Sequence, residues 1–136
     1  MARCVILWHH SIPPAAGLGG DHFDWMFEDP SHPERGLITF RVAEAMDLQS
    51  LQSFTATRNS DHRREYLDFE GDLTGSRGNV TRVHSGECLS VTERPGELEV
   101  VIRFDGQGEV EHRFYGKQER SGWHFSVEAA DASDAL

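Results

Sequence analysis

Two imidazoles and a carboxylate are the first residues whose types and spacing suit chemistry. His22 and Asp24 stand two apart in His22-Phe23-Asp24-Trp25-Met26-Phe27-Glu28. On a strand such residues share a face, so Phe23, Trp25 and Phe27 turn to the other side, toward a core. His9 closes the apolar run Val5-Ile6-Leu7-Trp8-His9 and shares a face with Val5 and Leu7, while His10 follows on the opposite face. Two imidazoles and one carboxylate would offer three ligands to Mn²⁺ or Zn²⁺, with further positions left for water or substrate. The same spacing also suits solvated strand histidines beside a loop. A third group lies in Asp61-His62-Arg63-Arg64-Glu65-Tyr66-Leu67-Asp68-Phe69-Glu70-Gly71. His62 and Tyr66 are four apart and meet if this stretch is one helical turn. An imidazole and a phenol can donate hydrogen bonds to a phosphate or protonate a leaving oxygen. The structural alternative is a capped turn, with Asp61 as N-cap and Tyr66 packed on the barrel.

The elements that must position these groups read as strands. Arg3–His9 is β-rich and apolar, and His22–Glu28 alternates polar and apolar residues. The Pro/Gly-rich stretch 13–20 between them is a loop, and Asp29-Pro30-Ser31-His32-Pro33 breaks the chain before Leu37–Val42. Residues 43–52 have helix-forming composition without a secure period, and a short turn or helix is expected near Arg63–Leu67. Strand-like runs then recur at Gly78–Val83, Cys88–Glu93, Leu98–Phe104, Glu109–Tyr115 and Trp123–Val127, with Ser85-Gly86, Pro95-Gly96, Asp105-Gly106 and Ser121-Gly122 as turns. Short strands at this spacing predict a mainly β protein, a small antiparallel β-barrel with short flanking helical segments. Residues 1–128 form the single domain, and 129–136 are expected to be a disordered tail.

Charge narrows the partners. The 136 residues carry 13 basic and 23 acidic groups, a formal net charge of −10. Such acidity speaks against a general nucleic-acid coat, which depends on a basic surface and counterion release. Residues 1–53 hold three basic against seven acidic groups and 83–136 five against eleven, whereas 54–82 balances five of each. Arg58, Arg63, Arg64, Arg77 and Arg82 fall in that neutral middle, which is the expected place for an anion to dock. Cys4 and Cys88 are too few for a disulfide framework or a cysteine zinc site. No apolar run is long enough for a membrane helix, and the start lacks the features of a secretory leader. A reduced, cytoplasmic protein without a membrane partner is expected.

Taken together and in this order, these stretches resemble the 3′-phosphoesterase domain of bacterial DNA ligase D. That family carries a strand ending in His, then His-Tyr-Asp-Phe-Arg-Leu-Glu, then Asp-His-x-x-x-Tyr-x-Asp-Phe-Glu-Gly followed by a Gly-rich turn. Here the matching pieces are Val5–His9, His22–Glu28, Asp61–Gly71 and Gly75-Ser76-Arg77-Gly78. Arg113-Phe114-Tyr115-Gly116 and Gly122-Trp123-His124-Phe125 look like the family's closing strands, so the likeness spans most of residues 3–127.

The resemblance implies a metal-dependent activity on DNA 3′ ends, removing 3′-phosphates or terminal ribonucleotides, with manganese favoured. It implies His9, His22 and Asp24 as metal ligands and His62 and Tyr66 as the catalytic pair on the phosphate side. Glu28 and Glu70 match motif glutamates and are expected to orient a ligand or an arginine. Two departures stand out. The family's arginine two residues after the metal-binding aspartate is Met26 here, and Phe54 occupies the spacing of a second family arginine. Arg58, Arg63 or Arg77 would have to bind the phosphate instead. The leading expectation is therefore a monomeric 3′-end-processing phosphoesterase, working beside a ligase or polymerase on a separate chain. Met26 raises the alternative of a catalytically weak end-binding adaptor in a DNA-repair assembly.

Overall fold

The computed structural model describes residues 1–10, 20–73 and 78–131. The strands are β1 (Arg3–His10), β2 (His22–Phe27), β3 (Leu37–Val42), β4 (Ser53–His62), β5 (Gly71–Asp72), β6 (Asn79–Arg94), β7 (Glu97–Phe104), β8 (Val110–Glu119) and β9 (Gly122–Asp131). They form one antiparallel sheet in the order β1-β2-β3-β4-β9-β8-β7-β6-β5, and an additional β1–β6 pairing closes it into a ring. The protein is mainly β. Among the described residues the helical structure is one 3-10 turn, Arg64–Leu67. No helix among the described residues is long and apolar enough to cross a membrane.

Alternation decides which side chains enter the ring. Ile6, Trp25, Phe27, Ile38, Phe40, Val42, Phe54, Ile102, Phe104, Phe114 and Phe125 face inward and form the main core. Trp25 is its hub, with ring centroids 4.6 Å from Phe114, 4.8 Å from Phe27, 5.2 Å from Phe125, 5.7 Å from Phe40 and 5.9 Å from Phe54. The opposite faces of the same strands supply a second, outer cluster of Val5, Leu7, Met26, Leu37, Leu67 and Val80, on which Tyr66, Phe69 and Leu73 pack. The segment from the 3-10 turn to β5 thus lies as an outer layer over β1, β2 and β6. Cys4 and Cys88 are free and buried in the main core. Burial pushes the Cys88 thiol up to about 12 and Cys4 well above its ordinary value, so both behave as small apolar residues.

Two expectations are corrected, and the stretch 43–52, left undecided by its sequence, is resolved. Gly78–Val83 and Cys88–Glu93 are not separate strands: β6 runs sixteen residues without a turn at Ser85-Gly86. Its first half pairs with β1 and its second with β7, and the changeover falls at Gly86. A Cβ at Gly86 would collide with the Arg103 carbonyl and lie 2.8 Å from the Phe104 Cα, so glycine here permits close strand approach rather than a turn. Residues 43–52 form no helix. Asp47 accepts the Gln49 amide on its side chain (3.1 Å) and the Ser50 amide on its carbonyl (3.2 Å), a local turn that competes with helix. Finally, β9 continues through Asp131, with His112, Glu111 and Val110 paired to Ala129, Ala130 and Asp131. Residues 129–131 are therefore strand, and 132–136 lie outside the described residues.

Gly116 gives a direct test of the packing. A Cβ there would sit 2.5–3.0 Å from three atoms of the fully buried Phe125 ring. Gly116→Ala is expected to cost about 1–3 kcal/mol, read as a lowered thermal midpoint, and Phe125→Leu in the same chain should recover part of the loss.

Candidate metal centre

The outward face of β1 and β2 carries the three predicted ligands. The pairing sets His9 opposite His22 and Leu7 opposite Asp24, so all three functional side chains project from the same side of the sheet. Their ring and carboxylate ligand atoms all lie within 4.8 Å of one another. His22 Nε2 is 3.2 Å from Asp24 Oδ1, His9 Nδ1 is 3.6 Å from Asp24 Oδ2, and the two imidazole centroids are 4.7 Å apart. Ligands bound at about 2.1 Å around one ion are separated by about 3–3.5 Å in tetrahedral or octahedral geometry. The 3.2 and 3.6 Å separations lie close to that range and the full spread of up to 4.8 Å is wider, so these three residues could hold a first-row divalent cation only by drawing together.

The second nitrogen of His22 supports that orientation. Nδ1–H donates to the Gly20 carbonyl at 3.1 Å, which leaves Nε2 turned toward Asp24. His22 and Asp24 are 8% and 13% exposed at the side chain, so the charges in this site are poorly screened. Burial pushes the Asp24 carboxyl up. The hydrogen bonds from His22 and His9, with their charge, outweigh burial and hold it at about 2.

The remaining predicted residues are spread more widely. His62 lies opposite Leu37 on β3, whereas Asp24 lies opposite Arg41 four residues away, roughly 13 Å of strand. His62 and Tyr66 do meet each other, with ring centroids 5.7 Å apart. Tyr66 packs on the outer cluster that contains Leu7 and Met26. The pair thus shares the outer face with the metal-ligand candidates, with Leu7 and Met26 as apolar floor. His62 Nδ1 bonds the Ser60 carbonyl at 2.8 Å. Asp61 does not cap the turn, whose N-cap is Arg63 without a side-chain bond; it binds Arg35 Nε at 2.7 Å instead.

Arg58 does not reach this face. It stands opposite Phe40, places its guanidinium 5.7 Å from that inward ring, and pairs with Glu93 at 2.9 Å. Arg63 is exposed and pairs with Glu65 at 3.0 Å. Arg77 lies outside the described residues. The motif glutamates do hold arginines: Glu70 accepts the Arg82 amide at 3.0 Å and lies 3.5 Å from its guanidinium, and Glu28 lies 3.6 Å from Arg64.

Sequence reasoning missed Arg41. The strand partners Arg82, Leu7, Asp24, Arg41 and Thr57 form one row across β6, β1, β2, β3 and β4, all on the outer face. Arg41 is thus the cation directly across from Asp24, at a Cβ separation near 5 Å for such pairs. Its signal was the alternation of Leu37-Ile38-Thr39-Phe40-Arg41-Val42, which places Arg41 on the polar side, but pairing to Asp24 needed the register. Met26 is buried in the outer cluster, so no charge enters at the position where the family resemblance calls for arginine. A scan against protein-family models and a search of curated proteins find no match to this chain.

The depressed Asp24 carboxyl has a sign that can be checked. Its contribution to stability is complete above the ordinary carboxylate value of 3.8 and is lost as pH falls through about 2. Over that interval Asp24 should account for about 2 kcal/mol of acid destabilisation. Chemical denaturation from pH 5 to pH 2 should therefore fall less steeply in Asp24→Asn than in the native chain.

Proposed function

We propose that this protein is a metal-dependent phosphoesterase acting on nucleic-acid 3′ ends, built on a small antiparallel β-barrel. The observation that carries the reading is the convergence of His9, His22 and Asp24 on one poorly screened outer face shared with His62 and Tyr66. These are the positions that the resemblance to the ligase D phosphoesterase domain assigns to metal and phosphate. A divalent ion such as Mn²⁺ bound there would polarise a phosphate oxygen and lower the pKa of a coordinated water.

The chain's own residues would do the rest. His9, His22 and Asp24 hold the ion, and the Gly20 carbonyl keeps His22 in the required tautomer. Arg41, beside Asp24, supplies positive charge to the phosphate in place of the missing arginine at Met26. Tyr66 and His62, on the same outer face, would donate a proton to the leaving sugar oxygen of a substrate that reaches from the metal to this pair. Local charge rather than a basic surface does the gripping, which accords with a net charge of −10.

The buried Met26 favours a second reading, an end-binding adaptor that keeps the metal but turns over poorly. A primer–template bearing a 3′-phosphate or a 3′-ribonucleotide, incubated with the protein and Mn²⁺, separates the two. Conversion that stops on chelation and in His22→Ala is the expected result. Arg41→Ala should slow it roughly a hundredfold without abolishing Mn²⁺ binding by calorimetry. Metal binding without turnover on either end would establish the adaptor, and no metal binding would remove the site.

A further inference from the structure

The outer face that carries the metal-ligand candidates continues around the ring. Asp24 on β2 stands opposite Arg41 on β3, and Arg41 opposite Thr57 on β4. Two residues earlier on β4, Thr55 stands opposite His124 on β9, and His124 opposite Lys117 on β8. The row ends with Glu97 on β7 and Arg94 on β6. Phe54, Ala56, Trp123 and Phe125 belong to the core, so Ser53, Thr55, Thr57, His124 and Ser126 turn outward by alternation. Along the paired seam of β4 and β9 the outward residues Ser53, Thr55, His124 and Ser126 include no acid, in a chain with 23 Asp and Glu.

This row leads into a pocket of about 180 Å³ whose lining includes Arg94, Tyr115, Lys117 and His124. Tyr115, 40% exposed, is the most exposed of the described Phe, Tyr and Trp side chains. Arg94 and Lys117 make no ion pair with a described residue, whereas Arg3, Arg35, Arg58 and Arg82 are each tied to a carboxylate. Two acids also line the pocket: Glu99 is held by Arg113, and Glu97 stands opposite both cations.

We propose that a single-stranded polynucleotide whose 3′ end lies at the metal centre crosses β3, β4 and β9 and seats an upstream base in the Tyr115 pocket. The inference rests on the 3′-end reading above and adds the path of the strand. From β2 to β8 that path covers four strand spacings, about 19 Å along the sheet. Six nucleotides cover it even at the stacked spacing of about 3.4 Å. Thr57 and Thr55 donate to phosphate oxygens on the way, and Lys117 and Arg94 meet phosphate charge at the pocket. The Tyr115 ring is a platform on which a base stacks. Glu97 repels phosphate from the far side and accepts an amino N–H of a base, as carboxylates do from cytosine. Glu119, opposite Gly122, and Glu128, opposite Arg113, border the path and confine it by repulsion.

Two oligodeoxycytidylates with a 3′-phosphate, one of six nucleotides and one of two, test this by NMR titration of the full chain with Mg²⁺ as a diamagnetic ion. The hexamer should shift the amides of 55–57, 115–117 and 124, and the dimer only those of β1 and β2. Tyr115→Ala should weaken hexamer binding about fivefold or more. Lys117→Ala should reduce the slope of log affinity against log salt by about 0.7. Both side chains are exposed, and neither variant should alter Mn²⁺-dependent turnover of the dimer. A hexamer that binds no tighter than the dimer, or whose shifts stay on β1 and β2, overturns the path, as does an equal loss of dimer turnover in Lys117→Ala. Hexamer shifts on β4, β8 and β9 without turnover of either oligonucleotide support the path and overturn the phosphoesterase reading alone.

Discussion

Packing of the Trp25 indole against Phe27, Phe40, Phe54, Phe114 and Phe125 is the interaction on which the rest of this molecule depends. It locks the register of β2, because sliding that strand by one residue would expel Trp25 and Phe27 and drive His22 and Asp24 into an apolar interior. A fully buried aromatic is worth several kcal/mol, and two carboxylate- or imidazole-bearing residues buried without partners would add a comparable penalty. The face on which the metal-ligand candidates converge is therefore a consequence of core packing on the reverse side of the same strand.

The outer layer adds exposed ion pairs to its own apolar packing. Arg3 on β1 bonds Asp68 at 2.8 Å and the Leu67 carbonyl at 3.4 Å, and Arg82 on β6 holds Glu70. These contacts pin the segment bearing Tyr66 onto the strand that carries His9. At one mouth of the ring, Asp61, Arg35, Glu93 and Arg58 form a chain of ion pairs at 2.7, 3.3 and 2.9 Å. Exposed pairs of this kind are individually weak, but they join β4 to β6 across the ring. The arginine-rich middle of the sequence thus mainly holds the structure together, and the cation beside Asp24 is Arg41, from a stretch that is net acidic.

Much of the candidate site was legible because it depends on a period of two. His22 and Asp24 share a face by that rule alone, and the inward turn of Phe23, Trp25 and Phe27 follows from it. Glu70 does lie beside Arg82 and Glu28 beside Arg64, contacts with arginines of the kind expected for these glutamates. The unbroken β6 was not legible, since Ser85-Gly86 has turn composition. Its glycine instead serves the approach of β7, which is a contact between residues about twenty positions apart. Residues 43–52 could not be decided from composition: helix propensity is small per residue, and burial of Met46 and Leu48 with the Asp47 turn outweighs it.

From the sequence by itself come the strand-rich class, the two-sided character of β1 and β2, and the identity of three metal-ligand candidates, because alternation and residue type are local properties. Ring closure, the outward position of the site, the distance separating His62 from Asp24, and the inward turn of Arg58 belong to the tertiary structure. So does the Arg41–Asp24 juxtaposition. Each of these depends on register between strands distant in sequence, and register is set by whichever alignment buries the aromatic core and leaves the charged groups paired.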